Sequence, residues 1–187
     1  PEIVSRDDIM EFDLEGNSVD GSTLTPYGER FIHGALLEAR PEVHSVVHNH
    51  SLSVIPFGVT GAQLQPIIHT GAGIGREIPI WDIYDKFGDT DLLVRNMDQG
   101  RDLAKCLGNN SVVLMRGHGC SVTGPDIKGA TVTAVYLQIS AALQLQSMPL
   151  GDVRYLTPGE SEKCTEMFYS GLAMDRVWEN LTSRITK

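Results

Sequence analysis

The run from Pro125 to about Ser147 constrains the fold more than any other stretch of the chain. Proline suits the first turn of a helix. Ala130, Val132, Ala134, Val135, Leu137, Ile139, Ala141 and Leu145 then leave that helix little polar surface. A helix apolar on most sides has to be covered on most sides, by a core or by a subunit interface. At 187 residues the chain is long enough to supply such a core. No internal repeat, low-complexity tract or linker divides it, so residues 1–187 are expected to form a single domain.

Other punctuation fills in the plan. Residues 1–21 are polar and turn-rich, suiting a hairpin or an excursion at a sheet edge. Thr25-Pro26 has the form of an N-cap followed by a first helical residue, and the expected helix runs towards Ala39, before Pro41. Ser45 to His48 is expected to be a buried strand. Ser51 to Ile55 suggests a short helix limited by Pro56. Pro66 to His69 and Glu77 to Ile80 are short strand candidates on either side of a Gly71–Gly75 loop. That loop lacks the glycine spacing of a dinucleotide fingerprint. Met97 to Leu107 predicts a helix stopped by Gly108. Ser111 to Met115 is the clearest strand, with Cys120 to Thr123 as its hairpin partner. Thr157 and Glu160 have capping-box spacing and open the first of two C-terminal helices, the second carrying Trp178. Strands mixed with helices of these lengths point to a layered α/β or α+β domain.

The chemistry concentrates in His48-Asn49-His50. Residues i and i+2 of a strand share a face, so both imidazoles can reach one point. Two imidazoles on a buried face are costly to desolvate without a shared purpose. His118, in Arg116-Gly117-His118-Gly119, follows the Ser111–Met115 strand. Glu29 lies upstream, one helical turn from His33. Three histidines and a carboxylate around one point make a candidate site for a catalytic divalent metal with an open coordination position. Glu29 could serve there as a ligand or as an acid/base. Cys120 is expected to be an inert buried thiol.

Composition excludes several classes. The formal charge is −9 with no basic run, which argues against nucleic acid as a partner. No stretch is apolar and long enough to span a membrane, and no signal peptide opens the chain. Three widely spaced cysteines suggest no disulfide framework. A reducing compartment, the cytoplasm, is the expectation, and the sequons at Asn49, Asn109 and Asn180 are then chance matches.

Glu29-Arg30-Phe31-Ile32-His33, the run Arg40-Pro41-Glu42-Val43-His44-Ser45-Val46-Val47-His48-Asn49-His50-Ser51, and Arg116-Gly117-His118-Gly119 resemble the class II aldolase/adducin family in order and in spacing. The resemblance covers most of the chain. It implies an α/β fold, a three-layer α/β/α domain with a central, mostly antiparallel sheet. It further implies His48, His50 and His118 as metal ligands and Glu29 as the acidic catalytic residue. Family members are commonly homotetramers with active sites at subunit interfaces, which would suit the apolar helix after Pro125. They also carry several dozen residues before the point where Pro1 aligns, so the N-terminal part of the family domain is absent from this chain.

Departures from the family pattern narrow the chemistry. Sugar-phosphate aldolases of the family hold substrate phosphate with a Ser-Ser pair just before the glutamate; here those positions are Tyr27-Gly28. They also carry a tyrosine after the histidine that aligns with His69; here it is Thr70. Instead, Tyr27 to Ala35, the surroundings of Trp81, and Leu114 to Cys120 resemble a branch that decarboxylates hydroxylated aromatic acids. That branch includes 3-hydroxy-2-methylpyridine-4,5-dicarboxylate 4-decarboxylase and dihydroxyphthalate decarboxylases. The resemblance therefore implies divalent-metal-dependent, non-oxidative decarboxylation of a small hydroxyaromatic or heteroaromatic acid, with His69 and His33 orienting substrate. The expected cofactor is Mn2+ or Zn2+, with Fe2+ or Co2+ also suited to the donors. The alternatives are a metal-dependent aldolase acting on a hydroxy-keto substrate of sugar-acid type and a non-catalytic, adducin-like interaction module.

Overall fold

Every residue of Val112–Met115 is buried, as a strand covered on both faces requires. In the computed structural model, which describes residues 4–185, the elements that cover it follow in chain order. They are α1 (Arg30–Ala39), β1 (Ser45–Asn49), α2 (Ile55–Thr60), β2 (Ile80–Trp81), α3 (Tyr84–Phe87), α4 (Met97–Leu107), β3 (Val112–Met115), β4 (Gly119–Gly124), α5 (Ile127–Ser147), α6 (Pro158–Tyr169) and α7 (Leu172–Thr182). The ends of the expected N-terminal excursion and of the expected 1–187 domain, residues 1–3 and 186–187, lie outside the described residues.

The sheet order is β1-β4-β3-β2. β4 runs antiparallel to both β1 and β3, and only the two-residue edge strand β2 is parallel to its neighbour. Alternation sorts the side chains into two cores. Val113 and Met115 pack with Ile32 and Leu36 of α1 and Leu103 and Leu107 of α4. Val112, Leu114 and Val122 pack with Phe57 of α2 and Leu137 and Ala141 of α5. The result is the expected α/β/α sandwich. α5 is apolar on two sides for two reasons: Leu137 faces the sheet, while Val132 and Tyr136 meet Phe168 of α6 and Met174 of α7. No helix among the described residues is long and apolar enough to cross a membrane.

Several boundaries differ from the expectation. α1 begins at Arg30, not at Thr25-Pro26. Arg30 donates to the carbonyls of Tyr27 (3.0 Å) and Gly16 (2.6 Å), and these tertiary bonds hold the preceding turn out of the helix. The N-terminal excursion is a hairpin, bridged between Phe12 and Ser18. Pro56 sits in the first turn of α2 instead of limiting a helix before it, the place where its missing N–H costs nothing. Pro66 to His69 forms no strand: the Pro66 carbonyl accepts one bond from Leu156 N–H (2.9 Å), and His69–Ile74 is a short 3-10 helix. The Glu77–Ile80 strand shrinks to Ile80–Trp81, with the Pro79 carbonyl accepting from Leu114 N–H (2.9 Å). α5 begins at Ile127 and is capped by Asp126, whose carboxylate accepts from Gly129 N–H (2.6 Å), so Pro125 lies just before the cap and not in the first turn. The Thr157–Glu160 capping box forms as expected.

Candidate metal centre

Strand alternation puts His48 on the α1 side of the sheet with Val46, whose side chain packs into the α1–α4 core. His50 follows on the same side, just beyond the end of β1. The third histidine arrives by a turn. His118 N–H donates to the Met115 carbonyl (3.1 Å), and Gly117 takes φ 66°, the left-handed position that favours glycine in such a turn. Gly119 is needed for a different reason: a Cβ there would stand 2.2 Å from the Asn49 carbonyl oxygen. The two glycines of the Arg116–Gly119 motif thus let the β3–β4 turn lie directly on the end of β1. Arg116, between them and β3, forms an ion pair with Asp82 just after β2.

Glu29 completes the group from the residue before α1. Its Oε1 accepts from the buried Val94 N–H (3.2 Å). Its Oε2 lies 3.4 Å from His118 Nε2, 3.5 Å from His48 Nε2 and 4.0 Å from His50 Nε2. His50 Nε2 is 3.2 Å from His48 Nε2 and 2.9 Å from His118 Nε2. One donor atom from each of the four residues falls within 4.8 Å of all the others. Nitrogens held about 2.0–2.1 Å from one ion stand roughly 3 Å apart, so the spacing of the three imidazoles fits a shared cation.

The surroundings favour the neutral imidazoles that ligation needs. Burial pulls His48 down to about 4, against the opposing charge of Glu29. Burial likewise lowers His118. Nδ1 of His48 faces the Cys120 carbonyl (3.1 Å) and the Ser121 hydroxyl (3.3 Å); its proton there leaves the Nε2 lone pair free to point inward. His118 Nδ1 is buried with no hydrogen bond of good geometry, but its ring interacts with the backbone of Leu92, which holds φ 65°.

The other candidates stand apart from the four. His33 is half-buried on α1, where desolvation lowers it against the opposing influence of the Val46 backbone. His69 is exposed at the start of its 3-10 turn. Cys120 is fully buried, and burial pushes its thiol up to about 12, as suits an inert side chain. Trp81 is packed at the edge strand with its indole N–H on Asp102 (2.8 Å). Tyr27 is new: its hydroxyl donates to Glu29 Oε2 (3.3 Å), and burial followed by the charge of Glu29 pushes the phenol up to about 12. Ser121 could have been found by pairing His48 across the sheet, since the two are in register. The Val94 amide has no residue signature at all.

The profile of the Class II Aldolase and Adducin N-terminal domain matches residues 2–145. Among similar proteins is the decarboxylase tropJ of Talaromyces stipitatus, 36% identical over 79% of this chain and 60% of its own length. Another is the 3,4-dihydroxyphthalate decarboxylase of a Terrabacter species, 26% identical over 86% of this chain and 66% of its own length. The chain therefore spans about three-fifths to two-thirds of these relatives. An aldolase II superfamily protein from Pseudomonas syringae has the same fold at TM-score 0.73 and 23% identity, covering 94% of this chain and 70% of that one. An L-fuculose 1-phosphate aldolase matches at TM-score 0.71 and 20% identity, over 89% and 74% of the two chains.

Proposed function

The chain belongs to the class II aldolase and adducin family, and from that premise we propose that it carries out divalent-metal-dependent, non-oxidative decarboxylation of a hydroxylated aromatic or heteroaromatic acid. The observation that carries the reading is the convergence of Glu29 Oε2 with the Nε2 atoms of His48, His50 and His118. The names of the two decarboxylase relatives support the choice of bond. In this reading His48, His50 and His118 hold the cation. The bound ion would supply Lewis-acid stabilisation of the charge left behind when CO2 departs.

The chain's own residues account for the rest. The ring–carboxyl bond breaks with its electron pair staying on the ring carbon, and a proton must reach that carbon. Glu29 is the carboxyl group nearest the ligands and the one placed to take up a proton from solvent and relay it to that carbon. Its side chain is only 7% exposed, which limits competing water. His33, one turn behind Glu29, and His69 are proposed to orient substrate; replacing either by Gln should raise KM more than it lowers kcat. We place the single-domain reading, the homotetramer and the choice of Mn2+ or Zn2+ within the same proposal. An open apolar groove beside His50, lined by Val47, Thr131, Val135 and Ile139, is consistent with a subunit contact there.

A relative named L-fuculose phosphate aldolase, from Methanocaldococcus jannaschii and 23% identical over 78% of this chain, keeps carbon–carbon cleavage of a hydroxy-keto substrate as the second reading. One assay separates them. Metal-loaded protein is given dihydroxyphthalates, related hydroxypyridine carboxylates and sugar acids, and released CO2 and aldehyde are both measured. CO2 from an aromatic acid is the expected outcome; aldehyde alone would establish the second reading. Protein purified without chelators and still lacking a stoichiometric transition metal would point to a non-catalytic module.

A further inference from the structure

Glu29 is the one member of the cluster that comes from neither a sheet strand nor the segment adjoining a strand end, and the way it is held points to a residue outside the four. Its two oxygens are engaged from two different segments. Val94 N–H, just before α4, takes Oε1. The Tyr27 hydroxyl takes Oε2, the oxygen that faces all three histidines. We infer that Tyr27 is a positioning residue of this site, its phenol hydroxyl setting the direction in which the Glu29 carboxylate presents Oε2 to the histidine nitrogens.

A tyrosine 53% exposed would ordinarily be free to swing, and a single bond from a mobile side chain would orient nothing. Tyr27 is anchored from behind. Its carbonyl accepts from the Arg30 backbone N–H (3.4 Å) and from the Arg30 guanidinium (3.0 Å). The same guanidinium donates to Gly16 O (2.6 Å) and lies 4.4 Å from the centre of the Phe31 ring. Arg30 thereby ties the turn bearing Tyr27 to both the N-terminal hairpin and α1. A fixed backbone leaves the phenol few torsions to lose when it bonds Glu29. A side chain as short as serine or alanine at position 27 could not make this contact from the same backbone.

The inference rests on the proposed metal site, so its test uses Co2+ alone as a probe besides turnover. Co2+ is titrated into metal-free wild-type protein and into Tyr27→Phe and Tyr27→Leu, and the visible absorption of the bound ion is compared. The melting midpoint of each metal-free protein is measured alongside. Loss of the hydroxyl should shift the Co2+ spectrum similarly in both variants and lower kcat about tenfold, the scale of lost outer-shell partners. KM should stay within about twofold and the midpoint should not move. Spectra superimposable on wild type would overturn the inference while leaving the metal site standing. So would a Tyr27→Phe protein that behaves as wild type while Tyr27→Leu fails, because the ring and not the hydroxyl would then matter. A wild-type protein that binds no Co2+ would overturn the metal site and this inference together.

Discussion

Gln144 in α5 and the Glu29 group at the start of α1 are both polar regions set into the fold, the second with His50 as its exposed member, and they are satisfied in opposite ways. The Gln144 amide, 1% exposed, donates to the Gln63 carbonyl (2.7 Å) and the Tyr155 hydroxyl (3.2 Å), and its oxygen accepts from Gln65 N–H (3.1 Å). Each contact joins a donor to an acceptor, and the region needs nothing further. In the Glu29 group the inward-facing atoms are three imidazole nitrogens and a carboxylate oxygen. With the imidazoles neutral and Nδ1 carrying the proton, all four are acceptors. Four lone pairs aimed at one point are an unbalanced arrangement by hydrogen bonding alone. A cation would balance it. A polar region that closes on itself needs no ligand, whereas one whose inward atoms share a polarity could hold a metal ion.

Removing a converging donor is the strongest way to break this contrast. His50→Ala should abolish turnover and lower metal affinity by more than about 100-fold, beyond the loss typical of outer-shell partners. The His50 side chain is 56% exposed, so the fold should persist. Metal content by elemental analysis and circular dichroism measure the two halves of this expectation; retained activity would sink the assignment. Gln144→Leu should do the reverse. It leaves the Gln65 N–H and Gln63 carbonyl without their partner, at a cost of about 2–4 kcal/mol in urea denaturation, with metal stoichiometry unchanged.

The same contrast explains what could be read in advance. His48, His50 and His118 were legible because strand alternation and a glycine-flanked turn are local properties of the chain. Met97–Leu107 is helical to the residue, with an Asn96 cap and Gly108 at its end. Pro66 to His69 failed because an apolar run becomes a strand only where a sheet edge is available, and that depends on distant residues. Glu29 was a candidate from its spacing to His33, and the family resemblance gave it the acidic catalytic role. The local signal at Thr25-Pro26 put it inside a helix, whereas tertiary bonds from Arg30 put it at the helix start. The Val94 amide was invisible for a simpler reason: every residue but proline has one.

Acid should separate the two regions next. The folded protein holds His48 at about 4 and holds His118 and His33 below the ordinary histidine value. The unfolded chain titrates near the ordinary histidine value of 6.5, so between these limits it binds more protons than the folded state. Stability of the metal-free protein should therefore be full above about pH 6.5 and fall as the pH drops towards about 4. Urea denaturation across that window measures it. Gln144 carries no titratable group, so Gln144→Leu should lower the whole curve without changing its slope. A flat wild-type curve would mean the histidines are not held neutral by the fold.

The smallest expected effect lies at Ser121, fully buried opposite His48. His48 Nδ1 has one proton and two acceptors within reach, the Cys120 carbonyl at 3.1 Å and the Ser121 hydroxyl at 3.3 Å. The hydroxyl has another use, donating to Met115 Sδ at 3.7 Å. Ser121→Ala therefore leaves the carbonyl to hold the tautomer, and Nε2 still points inward. Metal affinity, measured by competition with a chelator, should fall less than about tenfold, at or below the lower edge of outer-shell effects. A hundredfold loss would instead identify the hydroxyl as the group that orients His48. The site would then depend on a side chain of β4 that can be substituted, not on backbone that every residue at position 120 except proline would supply in the same β1–β4 register.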